Sequence, residues 1–297
     1  MKTFLDLASL GLVDNVNFEN ADAVVVPFGY EGTVTFGRGA SKGPASLIEA
    51  SSQVETFDDE LLDDIQNQIK IWTLKQPSLP KKPEAASSLL QKIVSELIQK
   101  NKLPVVVGGE HSISYGVAQG LSEHYRDISA LVFDAHLDLG DQWSKKPFTH
   151  AAWLKYSFGL PSVKNAALVG IRNFNKLEYA FWQNNHDRVK VFLAKDRRGW
   201  SADEIVSSLD SNVYVSFDID AFDSSVMPST GTPEPGGLFW DDVLPILRQV
   251  CARKNVVGMD LVELAPIRGL RAPDFLAAKL LMKMILYKFC VTKLKVY

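Results

Sequence analysis

A chain of 297 residues, 46% hydrophobic and 23% charged, is long enough for one large or two small globular domains. Its formal net charge of −3 comes without a basic stripe or an arginine-rich tail, so the electrostatic footprint of a nucleic-acid binder is missing. The two cysteines, Cys251 and Cys290, have no CxxC spacing, which excludes a disulfide framework and a thiolate zinc site and fits a reducing, cytoplasmic location.

The opening MKTFLDLASLGLVDNV carries one lysine and an apolar stretch broken by Asp6, which is not the pattern of a signal peptide. A β-branched run predicts a strand over 22–28. The glycine-rich GRGASKG at 37–43 lacks the GxxxxGK[ST] spacing of a phosphate cradle and reads as a flexible loop rimming a site. A strand at 68–74 and a helix at 83–100 follow, then strands at 103–109, 128–134, 166–170 and 188–193, a helix at 201–209, a strand at 212–218, a helix at 241–254 and a strand at 255–260. Pro245 is expected in the first turn of its helix, where a missing N–H is tolerated. The apolar stretch 275–290 carries Lys279, Lys283 and Lys288 and is shorter than the roughly 20 residues of a membrane span. It reads as a core-packed terminal helix, with no membrane partner. Near-continuous apolar strands alternating with helices imply a sheet covered on both faces. The expected fold is a three-layer α/β/α domain with an eight-stranded, mostly parallel sheet. No repeat or linker divides the chain, so residues 1–297 are expected to form one domain.

Polar residues gather at the carboxyl ends of the strands, where open parallel sheets bind ligands. The segments are VVVGGEHS (105–112), VFDAHLD (132–138), VSFDIDAFD (215–223) and GMDLVEL (258–264). In an extended chain, side chains two apart share a face, so Asp134, His136 and Asp138 can converge, as can Asp218 and Asp220. Together with His111 they make four carboxylates and two imidazoles. Burying these carboxylates without cations costs many kcal/mol or forces protonation. The set exceeds the needs of one tetrahedral zinc and suits two bridged ions about 3.5 to 4 Å apart, with manganese expected. Such a pair turns water into a nucleophile at neutral pH. His124 and His186 lie in polar surroundings and read as surface residues, and Asp223 as a brace for the SSVMPSTG loop.

GGEHS (108–112), DAHLD (134–138) and SFDIDAFDSSVMPSTGTPEPGGL (216–238) resemble the three signature segments of the ureohydrolase family, the arginases, agmatinases and relatives. YEGTVTFGRGASKGPASL (30–47) is similar to agmatinase amino-terminal segments. The resemblance implies an arginase-like fold and two Mn²⁺ per chain. One ion would be held by His111, Asp134, Asp138 and Asp218, the other by Asp134, His136, Asp218 and Asp220, with Asp134 and Asp218 bridging. It further implies that His150 shuttles protons, Glu263 pairs with the substrate guanidinium and Asp138 passes a proton to the leaving amine. Hydrolysis of a small guanidino compound to urea and an amine would follow, in a homo-oligomer of three or six chains.

Two departures bear on the substrate. Gly140 stands where arginases carry the asparagine that reads the amino-acid head of arginine, and GTPEPGG resembles the agmatinase loop more than the arginase one. Both favour agmatine, hydrolysed to urea and putrescine as in polyamine biosynthesis, with Asp141 a candidate for its far ammonium. Arginine or guanidinobutyrate hydrolysis, and a homologue that binds metal without turnover, stay open as alternatives. The chain also has Glu110, Leu137, Ala151 and Ser224 where the family mostly has Asp, Thr, Gly and Pro. None of these changes removes an expected ligand.

Overall fold

The strand interiors are Val, Ile, Leu, Phe and Ala with few breaks, and in the computed structural model they pair into one parallel sheet. The structure describes residues 2–5, 16–140 and 148–295; Asp141 and most of the opening segment lie outside the described residues. In chain order the strands are β1 (Ala23–Phe28), β2 (Phe57–Asp58), β3 (Asp63–Asp64), β4 (Ile71–Thr73), β5 (Leu103–Gly108), β6 (Ile128–Phe133), β7 (Val163–Ile171), β8 (Val189–Leu193), β9 (Asn212–Asp218) and β10 (Asn255–Val262). The helices are α1 (Gly43–Ser51), α2 (Ile65–Gln68), α3 (Pro83–Gln99), α4 (Ile113–Ser122), α5 (Trp153–Ser157), α6 (Lys176–Asn184), α7 (Ala202–Ser207), α8 (Trp240–Arg253) and α9 (Ala272–Cys290).

Among the described residues, eight strands form the main sheet in the order β4-β1-β5-β10-β9-β6-β7-β8, every pair parallel. β2 and β3 form a separate antiparallel pair. Alternate residues of each strand enter opposite cores, as the two-residue pleat requires. Val25, Val105 and Val107 face a core shared with α1, α7, α8 and α9, whereas Val24, Val26 and Val106 face one shared with α3, α4 and α5. The three-layer α/β/α expectation holds. The chain sets β4 outside β1 and β5 inside it, restarts at β6 and winds outward to β8, then returns to lay β9 and β10 between β6 and β5, which opens a crevice at the carboxyl ends of the four central strands.

Helix α4 owes its place to two glycines. A Cβ at Gly116 would lie 2.8 Å from Ser87 O and one at Gly120 2.7 Å from Gln91 O, so only glycine lets α4 press this closely on α3. The terminal helix α9 is core-packed, and no helix among the described residues is long and apolar enough to cross a membrane. Lys283 on α9 is 2% exposed and meets Asp58 at 2.7 Å and Glu60 at 2.9 Å. Pro245 corrects the sequence reading. It lies inside α8, in the second turn counted from Trp240. The bond it cannot donate would reach Asp241; both residues are exposed, so water can serve that carbonyl.

Candidate active site

Four neighbouring strands, β5, β10, β9 and β6, deliver the polar residues to one crevice. After β5, a Cβ at Gly109 would lie 2.0 Å from Tyr30 O, so only glycine lets the strand end tuck beneath this segment. His111 follows, 1% exposed. Its Nε2 lies 2.9 Å from Ser216 Oγ, and Ser216 Oγ donates at 2.7 Å to Oδ1 of the fully buried Asp260. A carboxylate only accepts, so the serine hydrogen points to Asp260 and His111 Nε2–H donates to the serine. In the neutral ring Nδ1 is then bare. It faces Oδ2 of Asp134 at 3.2 Å, of Asp138 at 3.2 Å and of Asp218 at 3.1 Å.

The convergence expected from an extended chain is real but arises differently. β6 ends at Phe133 and β9 at Asp218, and turns take over from there. Asp134 Oδ1 accepts the His136 N–H at 2.6 Å, and Asp218 Oδ1 accepts the Asp220 N–H at 2.9 Å. Each aspartate thus closes a turn onto the residue two ahead and keeps Oδ2 for the crevice. Asp138 is aimed by a left-handed backbone, φ 50°. His136 Nδ1 lies 3.1 Å from Asp220 Oδ2 and 3.5 Å from Asp134 Oδ1. His111, Asp134 and Asp218 form one compact donor group, and Asp134, His136 and Asp220 a second, with Asp134 common to both. Asp138 stands beside the first group through its contact with His111.

This donor set fits cations. Among the described residues, His111 Nδ1 and Asp134 Oδ2 are buried without a hydrogen-bond partner. Burial, then the charge of Asp134, pushes the Asp138 carboxyl up to about 7. Asp218 is raised well above the carboxylate range by burial, then by Asp220 and Asp134. Burial opposes charge on His136, yet Asp220 and Asp134 outweigh it and raise the ring to about 12. Protons are thus drawn to places where divalent ions would serve.

Glu263 and His150 join the same cleft of about 600 Å³. Glu263, just beyond β10, has φ 64° and its Oε1 accepts the His111 N–H at 2.7 Å. Burial lifts its carboxyl to about 8. Burial, then His111 and His136, lowers the His150 ring to about 4, so it is neutral near pH 7. His150 begins a 3-10 turn and its Nδ1 lies 3.2 Å from Thr33 Oγ1. Val34, Phe36 and Gly37 also line the cleft, so part of the expected 37–43 loop does rim it, although 40–42 forms a 3-10 turn that leads into α1. A Cβ at Gly37 would meet Gly231 O at 2.5 Å, which shows how closely the two walls approach. Asp223 accepts from Ser225, Gly236 and Gly237 backbone N–H groups, bracing its loop. His124 and His186 are exposed.

Sequence reasoning missed several contributors. Arg172, just after β7, donates to the carbonyls of Asp220 at 2.7 Å, Phe222 at 3.2 Å, Glu234 at 2.8 Å and Pro235 at 3.1 Å. One guanidinium thereby pins the loop that carries Asp220 and Thr232. Glu178 lines the cleft from the start of α6, held by a capping box with Asn175. A cation placed directly after a strand end, as in GIRNFN, was the available signal for Arg172. Thr33 gave none.

A family model for the arginase family matches residues 21–287. The chain is 31% identical over 287 residues to an N(1)-aminopropylagmatine ureohydrolase of Synechocystis, covering 91% of this chain and 90% of that protein. It is 32% identical over 274 residues to an agmatinase of Pyrococcus horikoshii, covering 91% and 93%. The solved agmatine ureohydrolase of Thermoplasma volcanium shares the fold, with a TM-score of 0.83 at 24% identity over 95% of this chain and 97% of that one. Fold, family match and relatives agree: the chain belongs to the arginase family.

Proposed function

We propose that this arginase-family hydrolase cleaves the guanidinium group of a small cationic guanidino compound, agmatine or N(1)-aminopropylagmatine, to urea and an amine. One observation carries the reading: three carboxylate oxygens stand 3.1 to 3.2 Å from His111 Nδ1 in the cleft that Glu263 and His150 also line. Two manganese ions fit this donor set, with His111, Asp134, Asp138 and Asp218 for one and Asp134, His136, Asp218 and Asp220 for the other. Such ions supply Lewis acidity and bring the pKa of water to about 7.

The chain's own groups do the rest. Glu263 pairs with the guanidinium and orients its carbon toward the cluster, a positioning role. One water adds its oxygen to that carbon, the bond to the alkyl nitrogen breaks, and the amine leaves with a proton delivered by Asp138. His150 exchanges protons between the cleft and solvent through its neutral ring.

The far end of the substrate is argued from charge. Among the described lining residues there is no Lys or Arg, while Glu178 adds a carboxylate. Among these described residues an arginine or guanidinobutyrate carboxylate would meet no cationic side chain, whereas an ammonium would meet Glu178. A Cβ at position 140 would sit 3.3 Å from Glu178 Oε1, so the asparagine expected of an arginase would crowd this wall. The free thiols Cys251 and Cys290 suit a reducing, cytoplasmic setting, and the family resemblance carries the expectation of a trimer or hexamer.

The test is urea release, with added Mn²⁺, from agmatine, N(1)-aminopropylagmatine, arginine and guanidinobutyrate. Turnover of either or both of the first two is expected. Turnover confined to the carboxylate-bearing pair overturns the substrate assignment, and no urea from any of the four overturns the activity.

A further inference from the structure

Glu110, Thr33 and His150 form a hydrogen-bonded line into the cleft. Glu110 is fully buried, with Oε2 accepting the Thr33 N–H at 2.7 Å and Oε1 accepting the Thr33 hydroxyl at 2.8 Å and the Ser112 hydroxyl at 2.6 Å. Donors therefore converge on both oxygens of a group that, as a carboxylate, can only accept. A threonine hydroxyl has one hydrogen, and here it is directed to Glu110. What Thr33 Oγ1 turns to His150 is a lone pair: it receives the His150 backbone N–H at 3.3 Å and lies 3.2 Å from Nδ1. For that second contact to be a hydrogen bond, Nδ1 must carry the ring hydrogen. Among the described residues no hydrogen bond engages Nε2.

We infer that Thr33, itself gripped by Glu110, is a positioning residue that holds His150 in the Nδ1–H tautomer, leaving Nε2 as the nitrogen that takes up and releases the proton. The inference rests on the reading of His150 as the proton carrier. A ring in the other tautomer would present a filled N–H to the cleft and could not accept. With the relay, Nδ1 keeps its hydrogen throughout and only Nε2 changes state, so no ring flip is needed between turnovers. Glu110 grips Thr33 at both its amide and its hydroxyl, so the segment and the ring are fixed together.

Two measurements on the manganese-loaded protein test this. The chain has five histidines, so ¹⁵N-histidine labelling gives few ring signals, and His150 is assigned by its loss in His150→Asn. The expected wild-type spectrum has a protonated Nδ1 and a bare Nε2, and Thr33→Val shifts His150 toward the other tautomer or a mixture. Urea release is expected to show kcat lowered about 10- to 100-fold in Thr33→Val, as for loss of one proton-transfer element. KM and bound manganese stay at wild-type values, and Thr33→Ser recovers most of the rate. A wild-type His150 protonated on Nε2, an unchanged tautomer in Thr33→Val, or an unchanged kcat overturns the inference. Were the wild type to release no urea, the proposed function would fall, while the nitrogen spectrum would still decide the tautomer.

Discussion

At Asp138 and Glu263 the backbone enters the left-handed region, φ 50° and 64°, although both residues carry a Cβ. Each such conformation costs about 1 kcal/mol or more and persists only where surrounding contacts over-determine it. Here the contacts are those of the cleft: Asp138 Oδ2 beside His111 Nδ1, and Glu263 Oε1 on the His111 amide. The carboxylates of the donor groups and that of Glu263 have different tasks in the proposed reaction, and substitution of Asp134 and of Glu263 separates them. Asp134→Asn removes charge from the residue common to both donor groups, so bound manganese and urea release are both expected to be lost. Glu263→Gln preserves shape and can still accept the His111 N–H, but gives up the charge offered to the guanidinium. At about 1.5 to 3 kcal/mol for a charge-assisted bond, kcat/KM should fall about 10- to 100-fold with manganese content unchanged. Elemental analysis beside the kinetics checks this, and loss of metal in Glu263→Gln would contradict the division of labour.

Among the elements, the loop that follows β9 depends on a residue outside it. Arg172 spreads its guanidinium over carbonyls from Asp220 to Pro235, a fan that lysine, a single point donor, cannot reproduce. Arg172→Lys is therefore expected to leave the fold intact and weaken manganese binding about 10- to 100-fold, the usual range for groups that orient ligands. Activity should return at raised Mn²⁺ in a metal titration, and unchanged affinity would show that the loop holds its shape unaided. Arg172 also marks where sequence reading stops. The strand cores were legible because buried parallel strands are unbroken apolar runs: β9 falls on the expected 212–218, and β10 extends the expected 255–260 only to Val262. Helix α4 was not singled out, since Gly116 and Gly120 depress helix propensity and their purpose, close approach to α3, is a tertiary fact. Ligand spacing was legible as a pattern, yet turns built by Asp134 and Asp218 replaced the extended geometry behind it. Thr33 and Ser216 act through hydroxyls placed by distant segments, which no local pattern announces.

For the molecule as a whole, the cluster ties stability to protons and, on the proposed reading, to cations. In the metal-free fold, Asp138 keeps its proton to about pH 7 against an ordinary 3.8, and Glu263 to about pH 8 against 4.5. His136 stays protonated to about pH 12 against 6.5. His150, lowered to about 4, works in the opposite sense below its ordinary 6.5, but it is outnumbered by the two carboxyls in that range. From about pH 5 upward the folded chain therefore holds more protons than the unfolded one, and its stability must fall as pH rises. Divalent ions held as proposed would invert the trend, because they would replace the protons and bind more tightly as the ligands deprotonate. Thermal midpoints between pH 5 and pH 9 should decline steadily for protein stripped with a chelator. With saturating Mn²⁺ they should hold level or rise, so the gap between the two curves widens with pH. Parallel curves, or a stripped protein that gains stability toward pH 9, would mean that the buried carboxylates are balanced by the protein's own groups, and the argument for a cation-dependent cluster would fail at its root.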